Sequence, residues 1–490
     1  MTLQDTSPNT GSLPAEKVTR TGPVIALLVV SAFVVILNET TMNIALPRIM
    51  EDLGVTASVG QWLTTGFLLT MAIVIPLTGF LLEKFTLRTV FFAAMTLFSL
   101  GTLVSAVAPV FEVLLAGRVI QASGTAIMLP LLFTTVLNVV PASHRGRMMG
   151  VITIVIAVAP AVGPTVSGVI LSTLTWHAIF WIILPISLLA LALGAVWVRN
   201  VTETRPDARF DVLSVILSAF GFGGLIYGLS SIGEAAAGHA PVPVWVPLAI
   251  GGVALVTFVL RQLQLQKVDG ALLDLRTFQS RTFSLAVGLV TIVMASLFGS
   301  LILLPIYLQQ VLGLDVLAVG LMLLPGGVLM GAMAPVVGNL FDRFGPTPLV
   351  IPGMVIAAGS LWGMASFDQD TTVGWIIAVH LALNLGLGLV FTPLMTSALG
   401  SLPRRLYPHG SAIVGTVQQV AGAAGTALFV TLMTVTSAAA ISDGVDAPLA
   451  LTQGVHAAFL VGACIASVAV ILALFVRKPA DVPAGMPVGH

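Results

Sequence analysis

Fourteen apolar runs of about 20 residues each leave this chain little choice of fold. They lie at 24–47, 58–82, 89–109, 112–139, 148–172, 178–198, 211–232, 243–260, 283–308, 316–340, 349–366, 373–399, 409–435 and 455–476. A backbone in lipid must satisfy its own hydrogen bonds, so runs of this length read as membrane-crossing helices. The chain is 57% hydrophobic and 8% charged. A soluble domain carries roughly 25% charge, so no water-soluble core accommodates this composition. The expected class is an all-α polytopic membrane protein. The seventh run is the weakest, because Gly221, Gly223, Gly224 and Gly228 dilute its helix signal.

The basic residues test the count. With the N-terminus placed in the cytoplasm, the cytoplasmic segments hold 18 of the 20 Lys and Arg, all but Arg48 and Arg118. Adding or dropping one span in the middle inverts half of that asymmetry, so fourteen spans with both ends inside is the expected topology. The first run is too long for a signal-peptide core and reads as an uncleaved span. The lone cysteine, Cys464, forms no intramolecular disulfide.

A short motif recurs. Gly79-Phe80-Leu81-Leu82-Glu83-Lys84-Phe85-Thr86 follows the second run, and Gly338-Asn339-Leu340-Phe341-Asp342-Arg343-Phe344-Gly345 follows the tenth. If these mark equivalent positions, spans 1–6 correspond to spans 9–14. The division is then a tail at 1–23, a six-helix half at 24–198, two inserted helices at 211–260, a loop at 261–282, a second six-helix half at 283–476 and a tail at 477–490. Two such pseudo-repeat halves around a central cavity is a secondary-transporter architecture.

Three ionisable residues fall within spans. Glu39 closes the first run, and an acidic side chain at a helix centre is about 2.5–3.5 kcal/mol uphill in lipid. At 1.5 Å per residue, Glu39 lies roughly 12 Å inward of Pro47, Arg118 about 9 Å below Glu112, and His380 about 10 Å below Val373. All three then share one layer. Glu39 reads as a proton-titrating or substrate-binding carboxylate, or as a structural acid bonded to a neighbouring helix. Arg118 is a possible partner, or a permanent counter-ion holding helices together. His380 is a proton-coupling candidate, or a satisfied structural group. Asn43, Gln121, Gln310, Asn384 and Gln418 are donors and acceptors suited to a polar substrate, or interhelical glue. Trp62 is a substrate stacker or an interface anchor.

These residues resemble the major facilitator superfamily, and specifically its fourteen-helix drug–proton antiporter branch. The loop pattern of that superfamily is matched by Gly79, Leu81, Glu83, Lys84 and Arg88, and again by Gly338, Asp342, Arg343 and Gly345. Its fourth-helix pattern is matched by Arg118, Gln121 and Gly124. Its fifth-helix antiporter pattern is matched by Pro160, Gly163, Pro164 and Gly168, with Ser167 for one Gly. In the first helix Asn38 stands where the branch has Asp, and the acid follows at Glu39. This Leu37-Asn38-Glu39-Thr40 variant resembles the lincomycin-efflux-type exporters within the branch. The shift turns the carboxylate by about 100° around the helix.

The resemblance implies a proton-coupled exporter of amphipathic small molecules or drugs in the bacterial plasma membrane, working by alternating access. The loop residues Gly79, Glu83, Lys84, Arg88, Gly338, Asp342 and Arg343 would latch the cytoplasmic side shut. The fifth-helix residues would bend and seal at the interface between halves, with Gly422 and Gly425 as the matching surface. Export of a lipid or lipid precursor and proton-coupled import of a nutrient are the alternatives. No phosphate loop and no metal-spaced His/Cys cluster appear, so an enzyme, an ATP-driven pump or a bound cofactor is not expected. The expected partners are an amphipathic small molecule, protons and membrane lipid, with no nucleic acid, and the chain is expected to be a monomer.

Overall fold

A computed structural model describes residues 21–200, 204–206, 210–236 and 242–476. Most of the expected N-terminal tail, with Lys17 and Arg20, and the C-terminal tail, with Arg477 and Lys478, lie outside the described residues, as do Arg209 and the side chains of Asn43 and Pro164.

Among the described residues, 14 helices are long and apolar enough to cross a membrane. They are α1 Thr21–Leu53, α2 Trp62–Lys84, α3 Leu87–Ala106, α4 Phe111–Val139, α5 Arg145–Thr173, α6 His177–Trp197, α7 Val212–Ala236, α8 Trp245–Leu265, α9 Arg281–Gln310, α10 Val316–Phe344, α11 Thr347–Ala365, α12 Val373–Gly400, α13 Tyr407–Ser442 and α14 Ala447–Ala473. Each expected span falls on one helix. Several helices overrun the apolar runs that announced them. α1 has 33 residues and continues through Pro47 to Leu53. There Arg48 and Glu51, polar residues that hydropathy discards, pair at 3.3 Å along one helix face.

The packing repeats. In the first half α1 packs on α4, α5 and α6, α2 on α4, and α3 on α4 and α6. In the second half α9 packs on α12, α13 and α14, α10 on α12, and α11 on α12 and α14. The halves meet at two equivalent seams, α5 against α10 and α2 against α13, and α4–α13 and α5–α12 cross more centrally. The inserted α7 lies on both α2 and α13, and α8 packs on α7. The insertion therefore covers one seam only. Trp62 at the start of α2 stacks on Tyr227 of α7, with ring centroids 5.8 Å apart. The fold is an all-α membrane bundle of two pseudo-repeat six-helix halves with two extra helices between them.

The two copies of the loop motif end differently. Gly345 closes α10 with φ of 77°, a left-handed conformation that favours glycine. Thr86 has φ of −67° and caps α3, its hydroxyl accepting from the Thr89 backbone N–H. That cap explains why the first copy carries no glycine at this place. The helix ends that carry these basic loops form the basic face of the bundle, and the opposite ends form its far face.

Candidate functional site

A cavity of about 350 Å³ lies between the halves. Most of its wall is apolar, with Met71, Met128, Met294 and Met330 from four different helices. Methionine side chains adapt their shape to irregular occupants. Its polar groups stand on opposing walls. Glu39, Thr40, Thr125 and Thr165 come from the first half, and Ser300, His380, Asn384, Gln418 and Gln419 from the second. Glu39 and His380 are the ionisable residues of the lining.

Glu39 and Arg118, possible partners by their spacing, do not touch. Arg118 is buried at 1% exposure behind the cavity wall. Its Nη1 donates to Asn38 Oδ1 at 3.2 Å and to Gln121 Oε1 at 2.6 Å. Its guanidinium also lies 4.1 Å from the centre of the Phe67 ring, a cation–π contact. Among the described residues, none hydrogen-bonds or ion-pairs with Glu39, although the charge of Arg118 acts on it. The reason is rotational. One residue along a helix turns the side chain by about 100°, so Asn38 faces α4 and Glu39 faces the cavity. α1 continues past Pro47, so Glu39 sits 14 residues inside the helix end at Leu53, about 21 Å along the axis.

α1 is held in this rotation by the Pro/Gly stretch of α5. A Cβ at Gly163 would come within 2.2 Å of Thr40 Oγ1, so only glycine fits there. The Thr40 hydroxyl reaches Ala159 O at 3.4 Å, and Ser167 Oγ donates to Thr41 O at 2.9 Å. Gly163 therefore seals α5 onto α1 inside one half, rather than onto the other half as the sequence suggested. Pro160 lines the cavity. Gly168 is exposed with open space around it. Gly422 and Gly425 make the equivalent seal of α13 onto α9, where a Cβ at Gly425 would lie 2.2 Å from Ala295 O.

His380 and Asn384 form one polar patch on α12. Asn384 Nδ2 donates to His380 O at 2.9 Å and lies 3.2 Å from His380 Nε2. The same ring nitrogen lies 3.2 Å from Leu323 O of α10, and Nδ1 is buried without a partner among the described residues. Gln418 Nε2 rests on Met395 Sδ at 3.6 Å, and Gln419 Nε2 reaches Met71 Sδ across the halves at 3.5 Å.

Three other residues expected at a substrate site stand elsewhere. Gln121 is buried between Arg118 and Thr102, to whose hydroxyl it donates at 2.7 Å. Trp62 is 41% exposed at the far end of α2. Gln310 is exposed at the last turn of α9. Asn43 lies on α1, one turn beyond Glu39.

The basic face is closed by bonds between halves. Asp342 at the end of α10 accepts the backbone N–H groups of Gly146 at 2.8 Å and Arg147 at 2.9 Å. These are free donors of the first turn of α5, where a carboxylate also meets the positive end of the helix dipole. Gly338 permits the approach, since a Cβ there would lie 2.3 Å from Gly146 O. Glu83 at the end of α2 behaves differently. It pairs with Arg205 at 2.8 Å and with His409 Nε2 of α13 at 3.3 Å. Thr134 meets Ser411 at 2.9 Å, Thr153 meets Thr392 at 2.7 Å, and Arg145 Nη1 donates to Tyr407 Oη at 3.2 Å. Lys84 lies over the Phe80 ring, Arg88 donates to Ala195 O at 3.1 Å, and Arg343 is exposed. Arg205 and His409 carry no motif signal of their own. Only the fold brings them to Glu83.

Comparison with known proteins agrees with this architecture. The profile of the Major Facilitator Superfamily matches residues 28–426. The lincomycin resistance protein LmrB of Bacillus subtilis is 43% identical over 462 residues, covering 93% of this chain and 96% of that one. A multidrug resistance protein B homolog of Mycobacterium tuberculosis is 32% identical over 425 residues, covering 85% and 76%. The crystal structure of the human organic anion transporter MFSD10 superposes with a TM-score of 0.65 over 92% of this chain and 99% of that one. At 14% identity, that match speaks for the fold alone.

Proposed function

This chain belongs to the major facilitator superfamily of membrane transporters, and from that premise we propose that it exports amphipathic small molecules in exchange for protons. The observation that carries the reading is Glu39. It is a carboxylate facing an apolar cavity in the middle of the bundle, with none of the described side chains bonded to it. A carboxylate kept in that setting has work to do at the cavity, because a structural acid would be bonded to its neighbours. The similarity to a lincomycin resistance protein supports a drug-sized amphipathic substrate.

In this reading the basic face is cytoplasmic, which places both termini inside a bacterial plasma membrane. The Asp342, Glu83, Thr134–Ser411 and Thr153–Thr392 contacts hold that side shut while the cavity serves the outside. Protonation of Glu39 from outside accompanies substrate release. The halves then rock, the contacts on the basic face part, and Glu39 gives up its proton to the cytoplasm as the next substrate enters. The membrane potential supplies about 2.3 kcal/mol per charge per 100 mV. His380 and Asn384 on the opposite wall, with Gln418, orient the polar part of the substrate. The methionines accommodate its apolar part. One chain holds a complete cavity, so the working unit is a monomer in lipid.

The test is lincomycin uptake into inside-out vesicles under an imposed pH gradient, acid inside, with proton flux recorded together. Uptake that dissipates the gradient is expected. Uptake indifferent to the gradient, or gradient-driven uptake retained in full by Glu39→Gln, overturns the reading.

A further inference from the structure

Gln262 stands in the last turn of α8, yet it is fully buried at 0% exposure. Its Oε1 accepts the backbone N–H of Leu272 at 2.8 Å and of Leu273 at 3.3 Å. Its Nε2 donates to Ser214 Oγ of α7 at 2.7 Å. Ser214 in turn bonds Asp211, which Arg261 grips through two bonds of 2.7 and 2.8 Å. One amide therefore satisfies two backbone donors of an irregular loop and ties them to both inserted helices.

Loops between membrane helices ordinarily run over the surface. This one turns inward. Leu272 and Leu273 are 2% and 3% exposed. A Cβ at Gly79 of α2 would lie 3.3 Å from Leu272 O, 3.4 Å from Leu273 Cδ2 and 3.1 Å from His409 Nδ1 of α13. The two leucines thus reach the place where α2 and α13 close together. Beyond them the loop is anchored to the second half, with Ser280 Oγ 2.8 Å from Ser401 Oγ.

The two seams differ at this point for a local reason. At α5 the second helical residue is Gly146, which offers its N–H to Asp342 and lets Gly338 approach. At α13 the second helical residue is Pro408, which has no N–H to offer. Glu83 turns to the His409 ring instead. The seam covered by the insertion lacks the direct backbone latch of its counterpart, and the leucine pair packs there.

We infer that Gln262 is a positioning residue of the cytoplasmic gate. It holds Leu272 and Leu273 as a wedge in the α2–α13 seam, and the wedge leaves Gly79 and His409 when the carrier opens inward. This rests on the alternating-access reading above. The inserted helices then have a role of their own, because they hold a removable third body in one of two otherwise equivalent seams.

The experiment uses the full chain with Cys464→Ser and Leu273→Cys, in inside-out vesicles, with a membrane-impermeant maleimide. Labelling is expected to be slow. Gln262→Leu, which removes both acceptor bonds, is expected to speed it about tenfold. Gln262→Glu, which keeps an acceptor for both N–H groups but loses the donor to Ser214, is expected to give an intermediate rate. Labelling equally fast in all three proteins, or equally slow in all three, overturns the proposal. A second arm joins Gly79→Cys to Leu273→Cys by oxidation. The cross-linked protein is expected to lose lincomycin transport and to regain it on reduction. Full transport with the cross-link in place also overturns the wedge. A chain that moves no lincomycin but whose labelling still follows Gln262 loses the export reading and keeps the wedge, whereas the reverse result separates them the other way.

Discussion

Asn38, not Glu39, meets Arg118: the amide oxygen of Asn38 accepts from the guanidinium at 3.2 Å, and the carboxylate one residue on faces the cavity. The permanent cation thereby bonds neutral groups, Asn38 and Gln121, and lies over the Phe67 ring, while its Nε is buried without a hydrogen-bond partner among the described residues. The carboxylate of Glu39 is left facing the cavity with no bonded partner among the described residues.

The exchange of places between acid and amide is testable. In the double variant Asn38→Asp/Glu39→Asn the carboxylate moves onto Arg118 and out of the cavity. A buried pair of opposite charges forms there, and charge-assisted bonds are about twice as strong as neutral ones. The expected outcome is a folded protein, equal in membrane amount to the wild type, whose gradient-driven lincomycin uptake has fallen at least about tenfold. Undiminished coupled uptake in this variant shows that coupling does not depend on the direction in which Glu39 points.

Arg118→Ala tests the other member. It leaves Asn38 Oδ1 and Gln121 Oε1 without their donor in a buried setting, at a cost of about 1–3 kcal/mol for each unsatisfied group. Loss of folded protein, seen as aggregation in detergent size-exclusion chromatography, is expected. Arg118→Lys keeps the charge but replaces the planar fork, and should give an intermediate yield. A monodisperse Arg118→Ala protein with normal thermal stability contradicts the structural role.

The latch on the α5–α10 seam makes a separate prediction. Asp342→Asn removes the charge that meets the α5 N-terminus and replaces one acceptor oxygen with a donor. The closed basic face should be weakened by about 1–2 kcal/mol, since charge-assisted bonds are at stake. Cysteine placed at Thr392, next to Thr153 across the halves, should then react faster with a cytoplasmic thiol reagent than in the unaltered background. An unchanged rate shows that Asp342 does not hold the seam.

The fold was legible in the sequence because lipid tolerates few solutions, and a span announces itself by its length. Glu39 was legible because a carboxylate in an apolar run is conspicuous. Direction around a helix was not. In a soluble helix the polar face points outward, but in this bundle lipid-facing and protein-facing sides are both apolar, so no hydrophobic stripe separates them. Gln310 and Trp62 therefore read like cavity residues although both lie at far-face helix ends, and Gln121 read like a free donor although Arg118 and Thr102 occupy it. Pairings across distant segments were also hidden. His409 and Arg205 reach Glu83, and Gln262 reaches Leu272, only after the halves and the insertion have packed.

The pair at the base of the inserted helices gives a pH prediction with a defined sign. Hydrogen bonds from Arg261, joined by those from Ser214, outweigh the opposing effect of burial and hold the Asp211 carboxyl at about 2, below its ordinary 3.8. A carboxyl with a lowered value in the folded state contributes its stability fully above the ordinary value. That contribution is lost as the pH falls towards about 2, where the folded-state group takes up its proton. Asp211→Asn should therefore lower the melting temperature of the detergent-solubilised protein by a constant amount between pH 5 and pH 7, both about one unit or more above the ordinary carboxyl value. The difference from the wild type should shrink as the pH is taken below about 4. A gap that instead widens on acidification, or that is absent at pH 7, shows that Asp211 and Arg261 do not brace α7 against α8.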